Sequence, residues 1–295
     1  MSSHVPAVDK GASQNGGVED LGINNTWVRR MLTRLALKTT AHFYRSQGGS
    51  CVPISRNLIV KIGPRVHLTE AATMKFVAAK TSLPVPKVYC AFVRRGMTYI
   101  VMERIKGDVI AESIKFLPEE ALGKLLGQLR TLLDEMRSLE PPPPGTAVES
   151  CVGGSLRDSR IPRSNPRFGP FETIQDFHLW MRDGTKLEDL EDREQTDGVR
   201  DVKRMITLQD LPRANTRFTH GDLNSCNILV REGKIVGIID WEFAGWYPDY
   251  WEYTSAWCGN IIRPNWRELI PQFLDTFPEE LEMEITRGKA WGDLF

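Results

Sequence analysis

Apolar residues recur along this chain with helical and strand periods, and the switches between the two outline its elements. Between Thr26 and Tyr44, TWVRRMLTRLALKTTAHFY sets Trp27, Met31, Leu35 and Leu37 at positions that suit an amphipathic helix. This helix is expected to pack on the outside of the elements that follow it, and the sequence gives it no chemistry. Cys51 to Ile62 reads as strand, Glu70 to Lys80 as a helix carrying Ala71, Met74, Val77 and Ala78, and Leu83-Pro84-Val85-Pro86 breaks that helix. The runs Val88 to Arg94 and Met97 to Glu103 form a hairpin around Arg95-Gly96.

The clearest helix runs from Pro118 to Glu140, where Leu122, Leu125, Leu126, Leu129, Leu132, Leu133, Met136 and Leu139 repeat at i, i+3, i+4 and i+7. Such a stripe is core. Residues 146–216 are hardest to read, with a Gly-, Pro- and Arg-rich loop followed by helices at Thr173 to Met181 and Val199 to Leu208. The acidic run between them, Leu187 to Glu194, reads as a solvated helix face before it reads as an attractor for a cationic ligand. Asn227 to Arg231 and Lys234 to Asp240 are strand-like and flank the turn Glu232-Gly233, and helices at Tyr250 to Cys258 and Trp266 to Phe273 follow. Residues 1 to about 22, rich in Ser, Gly and polar residues, are expected to be disordered.

Composition removes several function classes. The 38 basic and 38 acidic side chains of the 295 residues cancel, so no global field favours nucleic acid or an anionic membrane, and no basic-aromatic motif argues for nucleic acid. The five cysteines are widely spaced and form no CxxC pair, which fits reduced thiols in the cytoplasm. The opening MSSHVPAVDKGASQ has no apolar core of a secretory signal. No run approaches the roughly 18 apolar residues of a spanning helix.

The chemistry concentrates between Phe218 and Tyr253. His220-Gly221-Asp222 is followed by Asn227 five residues after the Asp, and by Asp240 thirteen residues after the Asn. Phosphoryl transfer needs a group to orient the attacking hydroxyl and oxygen ligands to hold a metal on the phosphates. The order of acid, Asn and second acid after a short hairpin is that of kinase catalytic loops. Taken singly, Asp222 could be a turn residue, Asn227 a loop amide and Asp240 a strand-end carboxylate; their joint spacing is the signal. Lys61, alone in the apolar run Leu58 to Ile62, is either a strand lysine reaching water or the lysine that holds nucleotide phosphates. Glu70 is either its partner or a carboxylate favoured by the helix N-terminus.

These residues resemble the aminoglycoside phosphotransferase family of small-molecule kinases, whose HGD-x4-N loop and IDW strand end read here HGDLNSCN and IIDWE. The PDYWEY tail is most similar to members found in filamentous fungi. The resemblance implies an α+β, bilobal, protein-kinase-like fold: a tail at 1–24, a small β-rich lobe at 25–105 and a larger, mostly helical lobe at 106–295. It further implies an ATP- and Mg2+-dependent transfer of the γ-phosphate to a hydroxyl of a small molecule, in a cytoplasmic protein with no nucleic-acid or membrane partner. Asp222 would be catalytic, Asn227 and Asp240 the metal ligands, and Lys61, Glu70, Glu103 and Ile105 the nucleotide contacts, the last two at the hinge.

Two departures stand out. Only Gly48-Gly49-Ser50 precedes the lysine strand where a glycine-rich loop belongs, and Trp251-Glu252-Tyr253 stands where many members have Asp-Leu-Ala. The rival readings are a nucleotide-binding protein of weak or no turnover, a protein kinase and a choline- or ethanolamine-type kinase. For the last, the tryptophans 241, 246, 251 and 257 could form a cage for a quaternary ammonium, although such a concentration is more often core.

Overall fold

The computed structural model describes residues 19–44, 50–161, 167–213 and 215–292. The first part is a four-stranded antiparallel sheet of β1 (Cys51–Pro53), β2 (Leu58–Gly63), β3 (Val88–Arg94) and β4 (Met97–Glu103), in the order β1-β2-β4-β3. The β3–β4 turn takes its shape from Arg95 and Gly96, whose φ angles of 51° and 70° match the right-handed twist of the hairpin. Alternation along the strands makes two apolar faces. Ala91, Ile100 and Met102 bury against Leu68, Ala71, Met74 and Val77 of helix α2 (Leu68–Lys80). On the other face lie Val60, Cys90, Phe92 and Val101, covered by helix α1 (Trp27–Lys38).

Two sequence expectations change here. Of the segment expected to be disordered, Glu19–Leu21 forms a 3-10 turn, and Ile23 exchanges both backbone hydrogen bonds with Ala91 of β3, extending the sheet; residues 1–18 lie outside the described residues. Helix α1 is capped by Thr26, whose Oγ1 accepts the Arg29 N–H, but it covers the sheet with Thr33, Ala36 and Leu37. Of the four apolar positions read from the sequence, Leu37 packs on the sheet, whereas Trp27, Met31 and Leu35 face solvent. Small side chains on the opposite side let the helix approach the sheet closely, and Thr33 Oγ1 reaches Cys90 Sγ.

Beyond β4 the chain crosses into the second part through residues 104–107. Short β5 (Asp108–Val109) and the hairpin β7 (Ile228–Arg231) and β8 (Lys234–Ile238) make a three-stranded sheet in the order β5-β7-β8. Glu232 and Gly233 adopt positive φ at its turn, as at β3–β4. Helix α3 (Ile110–Ser113) follows β5, and α4 (Glu119–Arg137) buries Leu125, Leu126, Leu129, Leu133 and Met136 at the centre of this part. Around it lie α5 (Ile174–Met181), α6 (Asp197–Asp210), the β6 (Arg217–Thr219) and β9 (Gly245–Tyr247) pair, α7 (Trp251–Cys258), α8 (Pro264–Phe273) and α9 (Pro278–Trp291).

The β-rich first part and the mostly helical second part make the α+β arrangement that the resemblance implies. Helix α9 is absent from the sequence reading because its apolar positions are sparse. Trp241, Trp246 and Trp251 are fully buried core residues, and Arg267 stacks over the half-buried Trp257. The acidic run is a solvent-exposed 3-10 turn, Glu188–Leu190, with only Leu190 turned inward. Among the described residues, no helix is long and apolar enough to cross a membrane.

Candidate active site

Four segments meet between the two parts. Lys61 lies on β2 with Ile100 opposite it, on the sheet face that carries α2. Glu70 enters from the first turn of α2, which His67 caps by accepting the Thr69 N–H on Nδ1. Lys61 Nζ donates to Glu70 Oε1 at 2.9 Å and to Asp240 Oδ1 at 2.6 Å, and Glu242 Oε2 is 3.8 Å away. Burial alone would lower the Lys61 pKa, but the facing Glu70, Asp240 and Glu242 carboxylates raise it well above its ordinary value, so the ammonium stays charged. Burial pushes Glu70 in the carboxylic-acid direction, against the pull of Lys61.

Asp222 sits on a loop locked from both sides. Its Oδ1 accepts from Asn224 Nδ2 and its Oδ2 from Asn227 Nδ2, both at 2.9 Å. The β7–β8 ladder places Asn227 beside the end of β8, since Asn227 O accepts the Ile239 N–H at 2.9 Å. Asp240 follows directly, with φ of 67°, a left-handed backbone that turns its carboxylate into the cleft. Burial raises the Asp222 pKa from 3.8 to about 6, a shift that the Asn224 and Asn227 amides oppose.

His220 is buried, accepts the Asp222 N–H on Nδ1 and donates from Nε2 to Ile239 O at 3.0 Å. Burial lowers its pKa, so it braces the loop as a neutral ring. Gly221 has φ of +80°, and a Cβ there would lie 2.9 Å from Phe243 O, which explains glycine at this position.

Sequence reasoning missed two contributors. Glu252, buried on α7, accepts the His220 N–H at 2.6 Å and the Gly221 N–H at 3.1 Å, holding the loop from behind. The signal was present as one acid among the aromatic residues of the WEY departure. Arg157, from the loop-rich region, donates to Glu242 Oε2 at 3.1 Å and lies over the Phe243 ring. No pattern in that region singles it out.

Glu103 and Ile105 do not join the lysine cluster. They line a cleft of about 400 Å³ with Asn57, Tyr89, Arg104, Lys106, Arg231 and Val236. The pairings Leu58↔Glu103 and Lys61↔Ile100 set the two places three residue steps apart along β2, or roughly 10 Å at the rise of a strand. Gly48 and Gly49 lie outside the described residues.

Carboxylate oxygens of Glu70, Asp240 and Glu242 come within 4.8 Å of one another, and Glu70 Oε2 is buried without a partner. Carboxylates offer only oxygen, the donor type that fits a hard divalent cation such as Mg2+.

Residues 53–286 match the model of a family described as the phosphotransferase enzyme family. Clavilactone A biosynthesis cluster protein Y of Ampulloclitocybe clavipes is 28% identical over 201 residues, which cover 59% of this chain and 48% of that protein. The aminoglycoside 3'-phosphotransferase of Enterococcus faecalis is 26% identical over 195 residues, covering 66% of this chain and 65% of its own. The chain thus spans about half and about two thirds of these relatives' lengths. Among solved structures, the gentamicin complex of the phosphotransferase APH(2")-IIa superposes with a TM-score of 0.56 at 16% identity, over 92% of this chain and 89% of that one. The ternary complex of a thermostable APH(4)-Ia mutant with ADP and hygromycin B gives 0.55 at 15% identity, over 85% and 88%. At these identities the structural likeness shows the fold.

Proposed function

The chain belongs to the phosphotransferase enzyme family, and from that premise we propose that it transfers the γ-phosphate of Mg·ATP to a hydroxyl group of a small molecule. The observation that carries the reading is the clustering of Asp222, Asn227, Asp240 and the Lys61–Glu70 pair, joined through the Asn227 O to Ile239 N–H bond beside Asp240. Nucleotide complexes among the solved relatives support the donor.

In this reading the Glu103 and Ile105 backbone meets the purine edge. Lys61, held by Glu70, draws the phosphates into line from three strand residues away. Asp240 and Asn227 would hold Mg2+, which supplies charge stabilisation on the phosphate oxygens. Asp222 orients the acceptor hydroxyl towards the γ-phosphorus. As the new O–P bond forms, the bond from phosphorus to the β–γ bridging oxygen breaks and its electron pair leaves with ADP; the hydroxyl proton passes to Asp222 late in the step. A pKa raised to about 6 makes Asp222 a better late acceptor than an ordinary aspartate. Glu252 and His220 keep the loop in place and exchange no protons.

Transfer of labelled γ-phosphate from Mg·ATP into a small-molecule extract tests the proposal. Labelled product is expected from the wild type, with Asp222→Ala slower by roughly 10²–10⁴-fold. Near-normal transfer by the variant would overturn the assignment of Asp222. ATP binding without product from either protein would count against the kinase reading.

A further inference from the structure

The cancelling total charge conceals a division along the chain. Residues 19–105 hold fourteen Lys and Arg against four carboxylates, Glu19, Asp20, Glu70 and Glu103, a net of +10, whereas residues 106–295 hold 23 against 33, a net of −10. Glu70 is spent on Lys61, so little on the first part offsets its positive field.

Helix α1 stands on the outside of that part with all its large apolar side chains but Leu37 pointing away from the protein. Trp27 is 73% exposed, Leu32 and Leu35 53% each, Val28 52% and Met31 42%, and Phe43 just beyond is 85% exposed. At 3.6 residues per turn, Trp27, Met31, Leu35, Val28 and Leu32 form a continuous stripe roughly 140° wide. Arg34 and Lys38 project along one border of it. Arg29, which donates to Tyr89 O, stands at the other border. The helix carries four basic residues and no acidic one. Its opposite side, Thr33, Ala36 and Leu37, is the side that meets the sheet.

We propose that α1 is a docking element for an anionic lipid surface, with the Trp27–Leu35 stripe entering the interfacial layer and Arg34 and Lys38 facing the headgroups. An apolar stripe bordered by Lys and Arg, with a Trp on it, is the pattern of helices that lie in the plane of a membrane interface. The field of the surrounding lobe adds long-range attraction to anionic lipid. Two alternatives fit less well. A second copy of the chain would bring two basic helices face to face, where like charges repel. An acidic protein would have to offer a groove to a convex ridge. Lys61 lies on the sheet face opposite α1, so docking in this orientation leaves the active-site cleft open to solvent.

Co-sedimentation of the full chain with vesicles tests this. With vesicles of three parts phosphatidylcholine to one part phosphatidylserine, partition is expected to exceed that on pure phosphatidylcholine by tenfold or more, and to fall in 0.5 M salt. Met31→Glu/Leu32→Glu and Arg34→Glu/Lys38→Glu should each lower it at least tenfold, with thermal midpoints close to wild type because these positions are not in the core. Equal partition on both lipids would overturn the proposal, as would indifference to both double variants. It would likewise fail if the stripe proved to be covered in a dimer that Met31→Glu/Leu32→Glu dissociates, or if the chain bound an immobilised acidic peptide but no vesicle.

Discussion

Replacing Glu252 probes how strongly α7 holds the loop that carries Asp222. Its two carboxylate oxygens accept two buried backbone N–H groups, of His220 at 2.6 Å and Gly221 at 3.1 Å. Hydrogen bonds to a carboxylate are worth about 1.5–3 kcal/mol each, and a buried donor left without a partner bears its desolvation cost. Truncation to Ala would strand both donors at about 3–6 kcal/mol, a large share of the 5–15 kcal/mol that holds a typical domain together. The informative variant is therefore Glu252→Gln, which keeps the volume and one acceptor but turns an NH2 towards the other N–H. The expected loss is about 2–3 kcal/mol, or roughly 4–12 °C in Tm at 2–4 °C per kcal/mol for a chain of this size. Because the strained donors belong to His220 and Gly221, turnover at 20 °C should also fall while the folded fraction remains high. Tm by circular dichroism and turnover by labelled phosphate transfer measure the two effects. A Tm within about 1 °C of wild type would refute the reasoning. So would a lowered Tm with unchanged turnover, because the loop would then not depend on α7 for its geometry.

Further outcomes follow from the same geometry. Because burial raises Asp222 to about 6, kcat/KM for the acceptor should rise with pH through about 6 and then level, and a profile flat from pH 5 to 8 would count against Asp222 as proton acceptor. The stability arising from this group has the opposite sign: it is fully present below the unfolded value near 3.8 and is lost as pH rises through about 6. Gly221→Ala forces a Cβ to within 2.9 Å of Phe243 O at φ +80°, so a loss of about 1–3 kcal/mol is expected in urea unfolding, and wild-type stability would show that the loop can relax. Lys61→Met removes the cation between Glu70, Asp240 and Glu242; Mg·ATP should then raise Tm far less than in the wild type, and an undiminished shift would remove Lys61 from the nucleotide site.

The elements legible in the sequence are those set by contacts close along the chain. Both hairpins sit where Arg95-Gly96 and Glu232-Gly233 allow positive φ, and α4 follows its leucine stripe because one apolar face is enough to define a helix. The spacing from Asp222 to Asn227 to Asp240 was readable for a similar reason, since a single loop and hairpin span it. Lys61 and Glu70 were readable only with help from that motif.

Tertiary structure decided the rest. Lys61 meets Asp240 across 179 positions of sequence, a contact that no local pattern records. Glu252 and Arg157 act through groups that come near only once α7 and the loop before α5 have packed, and a lone acid or arginine carries no period to reveal it. Helix α1 shows the limit most plainly. Periodicity established that it has an apolar side, but which side the protein covers depends on the surface it meets. The outer face of the sheet, already filled by Val60, Phe92 and Val101, accepts the small residues Thr33 and Ala36 at close range and leaves the tryptophan-bearing stripe to solvent.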